Sequence, residues 1–288
     1  MPDQQNQLTP VDADMVRALC AGQGIDNVTV HSVVQTESTN ADAAKLGQAG
    51  SHDNDQAIQV VVAATQTAGR GRLDRHWTDQ GENSLSFSVL RQVPTSIRPE
   101  SWGWIPLLAG LAVVTVVRAH GVDAKTKWPN DVIVEESNAD SSALGYKKLA
   151  GILSEAVSSS TSPDQVVVGI GINLTSEESE LPVPTATSAQ VAGGTNLRRE
   201  LILAEILVEF DRLWRTWVDT NGNVESARLA EQYEQVSSTI GAQVSVQGVS
   251  DEPVRGTATG IDELGQLLVD QGNGSTVTVN VGDVEQLR

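Results

Sequence analysis

Thr65-Gln66-Thr67-Ala68-Gly69-Arg70-Gly71-Arg72-Leu73-Asp74-Arg75-His76-Trp77 is the stretch on which the reading of this chain turns. It follows an apolar run, Ile58–Ala64, and precedes a segment in which Leu85, Phe87 and Val89 alternate with Ser84, Ser86 and Ser88. The apolar run before the loop looks buried, and the period of two after it marks an alternating strand. Gly69 and Gly71 are expected to reach positive φ and let the backbone come close to a ligand. Arg70 and Arg72 carry forked donors suited to carboxylate or phosphate. Neither the Walker spacing nor the dinucleotide fingerprint is present. Taken alone, the loop reads equally well as a solvated surface turn.

The bulk numbers narrow the field. The chain has 288 residues, enough for one sizeable domain and a small one. Its net charge of −18 argues against nucleic acid as a partner, because no basic footprint is present. The single cysteine, Cys20, cannot form an intrachain disulfide and fits a reducing cytoplasm. The polar start, Met1-Pro2-Asp3-Gln4, lacks the basic flank and apolar core of a signal peptide. Ile105–Val117 is the longest apolar stretch and is too short to span a bilayer. A cytoplasmic protein without membrane contact is expected.

Outward from the loop, the pattern divides the chain in three. Residues 1–27 hold a short helix, with Thr9-Pro10-Val11-Asp12 as its start and Val11, Met15 and Leu19 at helical spacing. They leave no room for a winged helix-turn-helix. Residues 28–235 carry strands in both hairpin-like and helix-separated contexts, so a mixed sheet with helices, an α+β fold, is expected. Within them Val28–Val34 is a strand leading to Ser38-Thr39-Asn40, with Ser38 or Thr39 as helix cap. Pro106–His120 is a buried helix stopped by Gly121. Leu203, Leu207, Phe210, Trp214 and Trp217 form an amphipathic helical stripe facing the core. The polar stretches Glu135–Gly145 and Thr175–Thr195 read as loops, the second as a disordered segment or a lid. Residues 236–288 are short alternating runs (Val244/Val246, Leu267/Val269, Val277/Val279/Val281) broken by glycines, with Asn273-Gly274 as a hairpin signal. A small appended β-barrel is expected there.

Five candidate ligand-facing stretches line up: Ser38-Thr39-Asn40, Gln66 to Trp77, Lys127-Trp128-Pro129-Asn130-Asp131, Lys148-Leu149-Ala150-Gly151-Ile152 and Gly169-Ile170-Gly171-Ile172-Asn173. In order and content they resemble the catalytic domain of biotin protein ligases, from about Glu37 to Leu174. The resemblance extends through the C-terminal module, which in that family is SH3-like. It points to the type without a DNA-binding domain. What it implies is a biotin–[biotin carboxyl-carrier protein] ligase. Such an enzyme makes biotinyl-5′-AMP and pyrophosphate from biotin and ATP, with Mg²⁺. It then passes biotin to one lysine of the carrier domain of an acyl-CoA or pyruvate carboxylase. A monomer is favoured.

The same resemblance implies roles. Lys148, Arg70, Lys127 and Asp131 are the catalytic set, with Asp131 as Mg²⁺ ligand. Ser38, Thr39, Asn40, Gln66, Arg70, Gly71, Arg72, Lys148 and Gly151 hold biotin, the first four reading its ureido ring. Arg70, Arg72, Trp77, Lys127, Asn130, Asp131, Gly169, Gly171 and Asn173 hold ATP. Pro129 keeps Trp128 extended. Asp74 stands where the family often has glycine, and Glu135–Tyr146 is longer than usual. Trp77 and Trp128 read equally as core anchors, Lys147 reads as solvated, and the four histidines show no metal-ligand spacing. The nearest rival is a lipoate ligase, disfavoured because the polar Ser38–Asn40 and Gln66 set does not suit an apolar dithiolane. A biotin-sensing repressor is disfavoured by the acidic charge, and an idle adenylate-binding scaffold by Arg70, Arg72, Asp131 and Lys148.

Overall fold

The Leu/Ser alternation after the arginine loop becomes strand β3 (Ser84–Gln92), and both of its faces are buried. Leu85, Phe87 and Val89 enter the main core, while Ser84, Ser86 and Ser88 lie under a second layer instead of facing water. A computed structural model describes residues 8–49, 57–73, 75–136, 145–157, 164–248, 252–272, 274–280 and 282–286 of the chain. Asp74, residues 137–144 of the long polar loop, Asn273 and Val281 lie outside them.

The strands around β3 are β1 (Val28–Thr36), β2 (Ile58–Gln66), β4 (Ala124–Lys127), β5 (Asp131–Glu135), β6 (Tyr146–Val157) and β7 (Gln165–Asn173). Among the described residues they form a seven-stranded sheet in the order β1-β2-β3-β7-β6-β5-β4. Only β1 and β2 run parallel, joined by helix α2 (Thr39–Gln48), so the sheet is mixed as expected. Every residue of β7 is buried, the signature of a strand covered on both faces.

One face is covered by helices α1 (Ala13–Ala21), α3 (Trp104–Ala119), α4 (Arg199–Asp219) and α5 (Leu229–Val236). Helix α1 starts later than its sequence suggests. Asp12, not Thr9, caps it by accepting from the Met15 amide, and Val16 and Cys20 form its buried face while Met15 is exposed. A 3₁₀ turn, Pro99–Gly103, precedes α3 and lengthens the helical run to Pro99–Ala119. That run is long and apolar enough to cross a membrane by length and composition, unlike the shorter Ile105–Val117. Most of its apolar side chains are spent inside this core. Residues 175–195 are neither disordered nor a free lid. Thr185 accepts from the Lys148 amide, Thr187 donates back to the Lys148 carbonyl, and Ala189 and Gln190 bond to Asn173 and Leu174.

The C-terminal strands β8 (Gln243–Gln247), β9 (Val254–Ile261), β10 (Leu267–Asp270), β11 (Thr276–Val279) and β12 (Asp283–Gln286) form a second sheet, entirely antiparallel, in the order β11-β10-β9-β8-β12. Two indoles tie it to the main domain. Trp104 Nε1 donates to the Asp262 carbonyl and Trp128 Nε1 to the Gly265 carbonyl, both at 3.0 Å. Gly103 permits this approach, because a Cβ there would overlap the Leu264 carbonyl. Trp128 is thus a core anchor. It sits in the tight β4–β5 turn, and the Trp128–Pro129 peptide is cis, where a plain extended segment was expected.

The sequence gives no hint of a buried ion pair, yet Arg91 on β3 reaches Asp211 on α4 at 2.7 Å, and its guanidinium stacks over Trp214 at 4.9 Å. Asp211 also receives Arg215. Removing one partner leaves a charge stranded in the core. Asp211→Ala is expected to lower unfolding stability by about 3–5 kcal/mol, read by urea denaturation. A loss below about 1 kcal/mol would show that water reaches Arg91.

Candidate active site

A cavity of about 410 Å³ gathers residues from both sheets. Its walls are the first turn of α2, the end of β2, the arginine loop, the β4–β5 turn, the middle of β6 and β7, and β12. Of the residues assigned roles from sequence, only Asn173 is absent from the lining. Asn173 is buried on β7, and its Nδ2 donates to the Thr187 carbonyl at 3.0 Å. Its amide therefore pins the 175–195 segment instead of facing a nucleotide.

One end of the cavity is a neutral polar network. Gln66 Oε1 accepts from the Thr39 amide at 2.8 Å and from Thr39 Oγ1 at 3.2 Å. Ser88 Oγ donates to Asn40 Oδ1 at 2.6 Å and lies 2.8 Å from Thr39 Oγ1. Asn40 Nδ2 donates onward to Glu155 Oε2 at 2.7 Å and to the Leu153 carbonyl at 3.2 Å. Ser38 occupies the cap position of α2 but makes no side-chain capping bond, which leaves its hydroxyl to the cavity. Ser88 belongs to this network unannounced, since alternation alone places it toward solvent.

The glycines of β7 make room for this arrangement. Ser88 faces Gly169 and Ser86 faces Gly171 across the β3–β7 ladder. A Cβ on Gly169 would overlap Asn40 Oδ1, and one on Gly171 would overlap the Trp77 indole. The loop glycines act in the same way, against the expectation of positive φ. Neither Gly69 nor Gly71 adopts it, and Leu73 does instead, at φ 55°. A Cβ on Gly69 would press on the Trp77 carbonyl. The loop curls back on itself, with the Trp77 amide bonded to the Gly69 carbonyl at 2.9 Å and the Gly71 amide to the Arg75 carbonyl at 2.7 Å.

Charge dominates the other end. Arg72 Nη1 donates to Asn130 Oδ1 at 3.2 Å, and Asn130 Nδ2 anchors on the Ile152 carbonyl at 2.8 Å. Lys148 Nζ lies 2.6 Å from Asp131. Lys127 is buried, with its ammonium 5.4 Å from the Tyr146 ring centre. Burial pushes the Lys127 ammonium below the ordinary lysine range, and nearby Asp131 opposes that shift. Burial likewise raises the Tyr146 phenol. Arg75 pairs with Asp283, which with Val284 and Glu285 brings the C-terminal module into the cavity wall. Arg75, Tyr146, Asp283 and Glu285 also line the cavity, and no motif marks them individually as ligand-facing. Arg75 was within sight as the third arginine of the loop, but the acidic wall depends on how the modules dock.

Arg70 and Arg72, equivalent by sequence, are separated here. Arg70 turns away to Glu155 Oε2 at 2.9 Å, beside the neutral network. Lys147 also points away, to Glu178 at 2.7 Å, as expected for a lysine outside the site. Among the described residues no group of three or more His, Cys, Asp or Glu side chains could hold a metal.

Comparison with known proteins gives these geometries a context. Residues 33–173 match the biotin/lipoate A/B protein ligase family, and residues 239–286 match the biotin protein ligase C-terminal domain. The chain is 34% identical over 292 residues to the biotin–[acetyl-CoA-carboxylase] ligase of Mycobacterium tuberculosis, covering 100% of both. It is 31% identical over 221 residues to the bifunctional ligase/repressor of Bacillus subtilis, covering 75% of this chain and 62% of that protein. The fold matches a biotin protein ligase of Aquifex aeolicus solved with biotin and ATP, with a TM-score of 0.68 and 24% identity over 92% of this chain and 100% of that one.

The buried Lys127 has a measurable consequence. Its pKa is lower folded than unfolded, so its charge costs stability below the folded value. That cost fades as pH rises toward the unfolded value of about 10.4. Lys127→Met is expected to raise the urea midpoint of the ligand-free protein at neutral pH, with the gain shrinking toward pH 10. A lower midpoint at neutral pH would show that Lys127 is well satisfied.

Proposed function

The chain belongs to the biotin/lipoate A/B protein ligase family, and we propose that it is an ATP-dependent biotin protein ligase. It activates biotin to biotinyl-5′-AMP and transfers the acyl group to a lysine of a carboxylase carrier domain. The observation that carries this reading is one cavity with a neutral hydrogen-bonding end and a cationic end. A ureido ring needs paired donors and acceptors in the first, and an α-phosphate under attack needs fixed positive charge in the second.

In the first step a biotin carboxylate oxygen attacks the α-phosphorus of ATP, a P–O bond forms, and pyrophosphate leaves with the bond pair. Two anions must meet, and negative charge gathers on the phosphate oxygens. Positioning and charge are therefore the chief catalytic means. Lys148, held by Asp131, contributes a point charge at the reacting oxygens. Lys127, held in a poorly hydrated niche, has most to gain from a phosphate partner. Arg72, positioned by Asn130, closes over the same end. Trp77, seated on Gly171 and beside Gly151, walls off the acyl chain. In the second step the carrier lysine amine attacks the acyl carbon and AMP departs.

Mg²⁺ fits this site as an ion carried mainly by the nucleotide phosphates. Such an ion needs only one or two carboxylates, and Asp131 would supply one. Bound there, it would neutralise phosphate charge. The buried, unpaired Cys20 accords with a cytoplasmic setting, and a monomer remains the assembly we favour.

Incubation with ATP, Mg²⁺ and either biotin or lipoate, with pyrophosphate as readout, tests the reading. Biotin should drive release and lipoate should not, and the reverse preference would overturn it. Lys148→Ala should cut biotin-driven release by a factor on the order of a hundred or more while partly sparing biotin binding. Unchanged release rejects that role. Arg72→Gly removes the anchor to Asn130, so reactive adenylate should escape and label bystander lysines. Labelling equal to wild type counts against Arg72 as a retaining residue.

A further inference from the structure

Glu155 has no part in the roles above, yet it lies between two of them. Strand β6 continues past its pairing with β5, which ends at Gly151, and its period of two places Gly151, Leu153 and Glu155 on one face. Gly151 and Leu153 line the cavity, and Glu155 is next on that face. One of its oxygens, Oε2, accepts from both Asn40 Nδ2 at 2.7 Å and Arg70 Nη2 at 2.9 Å. Asn40 belongs to the first turn of α2 and Arg70 to the arginine loop.

We propose that Glu155 is a positioning residue that orients Asn40 for the ureido ring and ties that ring site to the arginine loop. A carboxylate only accepts hydrogen bonds, so it draws the amino side of Asn40 toward itself. The carbonyl side is thereby turned to Ser88, in the space that Gly169 leaves open. The same oxygen holds Arg70, so loop placement and ring recognition share one anchor. Asn40 without Glu155 can rotate its amide and offer the ring a mismatched donor. The inference rests on the biotin-ligase reading and gives Glu155 a role on the biotin side of the reaction alone.

The test uses the full chain, with wild-type pyrophosphate release driven by biotin established first. Failure at that stage would be failure of the functional reading, not of Glu155. Next, Glu155→Ala is expected to raise the biotin KM about tenfold or more, the effect of losing a hydrogen bond to a charged group. The ATP KM should change less than about threefold, because Arg70, the loop side chain that Glu155 holds, is turned toward the ring end and away from Arg72, Lys127 and Lys148. In the Glu155→Ala background, Asn40→Ala should add little further loss of biotin binding, since both changes break one contact. Should Glu155→Ala fail to fold, Glu155→Met keeps the bulk without the acceptor, and direct biotin titration should still show weakened binding with the unfolding midpoint preserved. A biotin KM unchanged by Glu155→Ala, an equal rise in both KM values, or full additivity with Asn40→Ala overturns the proposal. So does wild-type biotin affinity in Glu155→Met.

Discussion

A lysine ammonium enclosed by protein is costly to hold unless a partner nearly matches its charge. Among the described residues Lys127 faces the ring of Tyr146 and feels the charges of Asp131, which is itself engaged by Lys148, and of Asp283, which is paired with Arg75. The cavity around it is lined by Arg70, Arg72, Arg75, Lys127 and Lys148 against Asp131, Asp283 and Glu285, with Glu155 pairing Arg70 at its ring end. In a protein of net charge −18 this local excess of positive charge runs against the composition. Fixed charges waiting for an anion are the condition for stabilising charge that develops only during reaction, because they need not reorganise when it appears. The niche that makes Lys127 costly is also what makes a phosphate valuable there.

The rest of the fold serves to place that charge beside a neutral recognition site. Strands β3 and β7 pair serines with glycines, so side chains from α2 and the arginine loop can settle directly on the sheet. The acid's ring and its carboxylate thus address two ends of one cavity. The indoles of Trp104 and Trp128 dock the C-terminal sheet, whose β12 completes the cavity wall. Module docking and the cavity wall thus share one set of contacts, in which the Arg75–Asp283 pair and the Ser238 amide to the Thr126 carbonyl join the two indoles.

Much of this was legible in the residues. The strands flanking the arginine loop, the buried helix ended by Gly121 and the mixed sheet follow from periodicity and turn chemistry. Other features depend on what packs where. Ser88 reads as solvent-facing until α2 covers it, and Gly69 reads as a positive-φ hinge until Trp77 claims the space of its Cβ. Arg70 and Arg72 look interchangeable by spacing, and only Glu155 and Asn130 distinguish them. The 175–195 segment has loop composition, yet its backbone bonds to β6 and to the end of β7. Such long-range pairings leave no periodic trace in the chain.

Nuclear magnetic resonance of lysines labelled at Cε addresses the charge argument most directly. The Lys127 signal, assigned by its loss in a variant, is followed through a pH titration with and without a non-hydrolysable acyl-adenylate analogue. The account predicts that Lys127 titrates below ordinary lysines in the free protein and moves upward when the analogue's phosphate is bound. A Lys127 signal that titrates as an ordinary lysine, or does not move when the phosphate arrives, would contradict it.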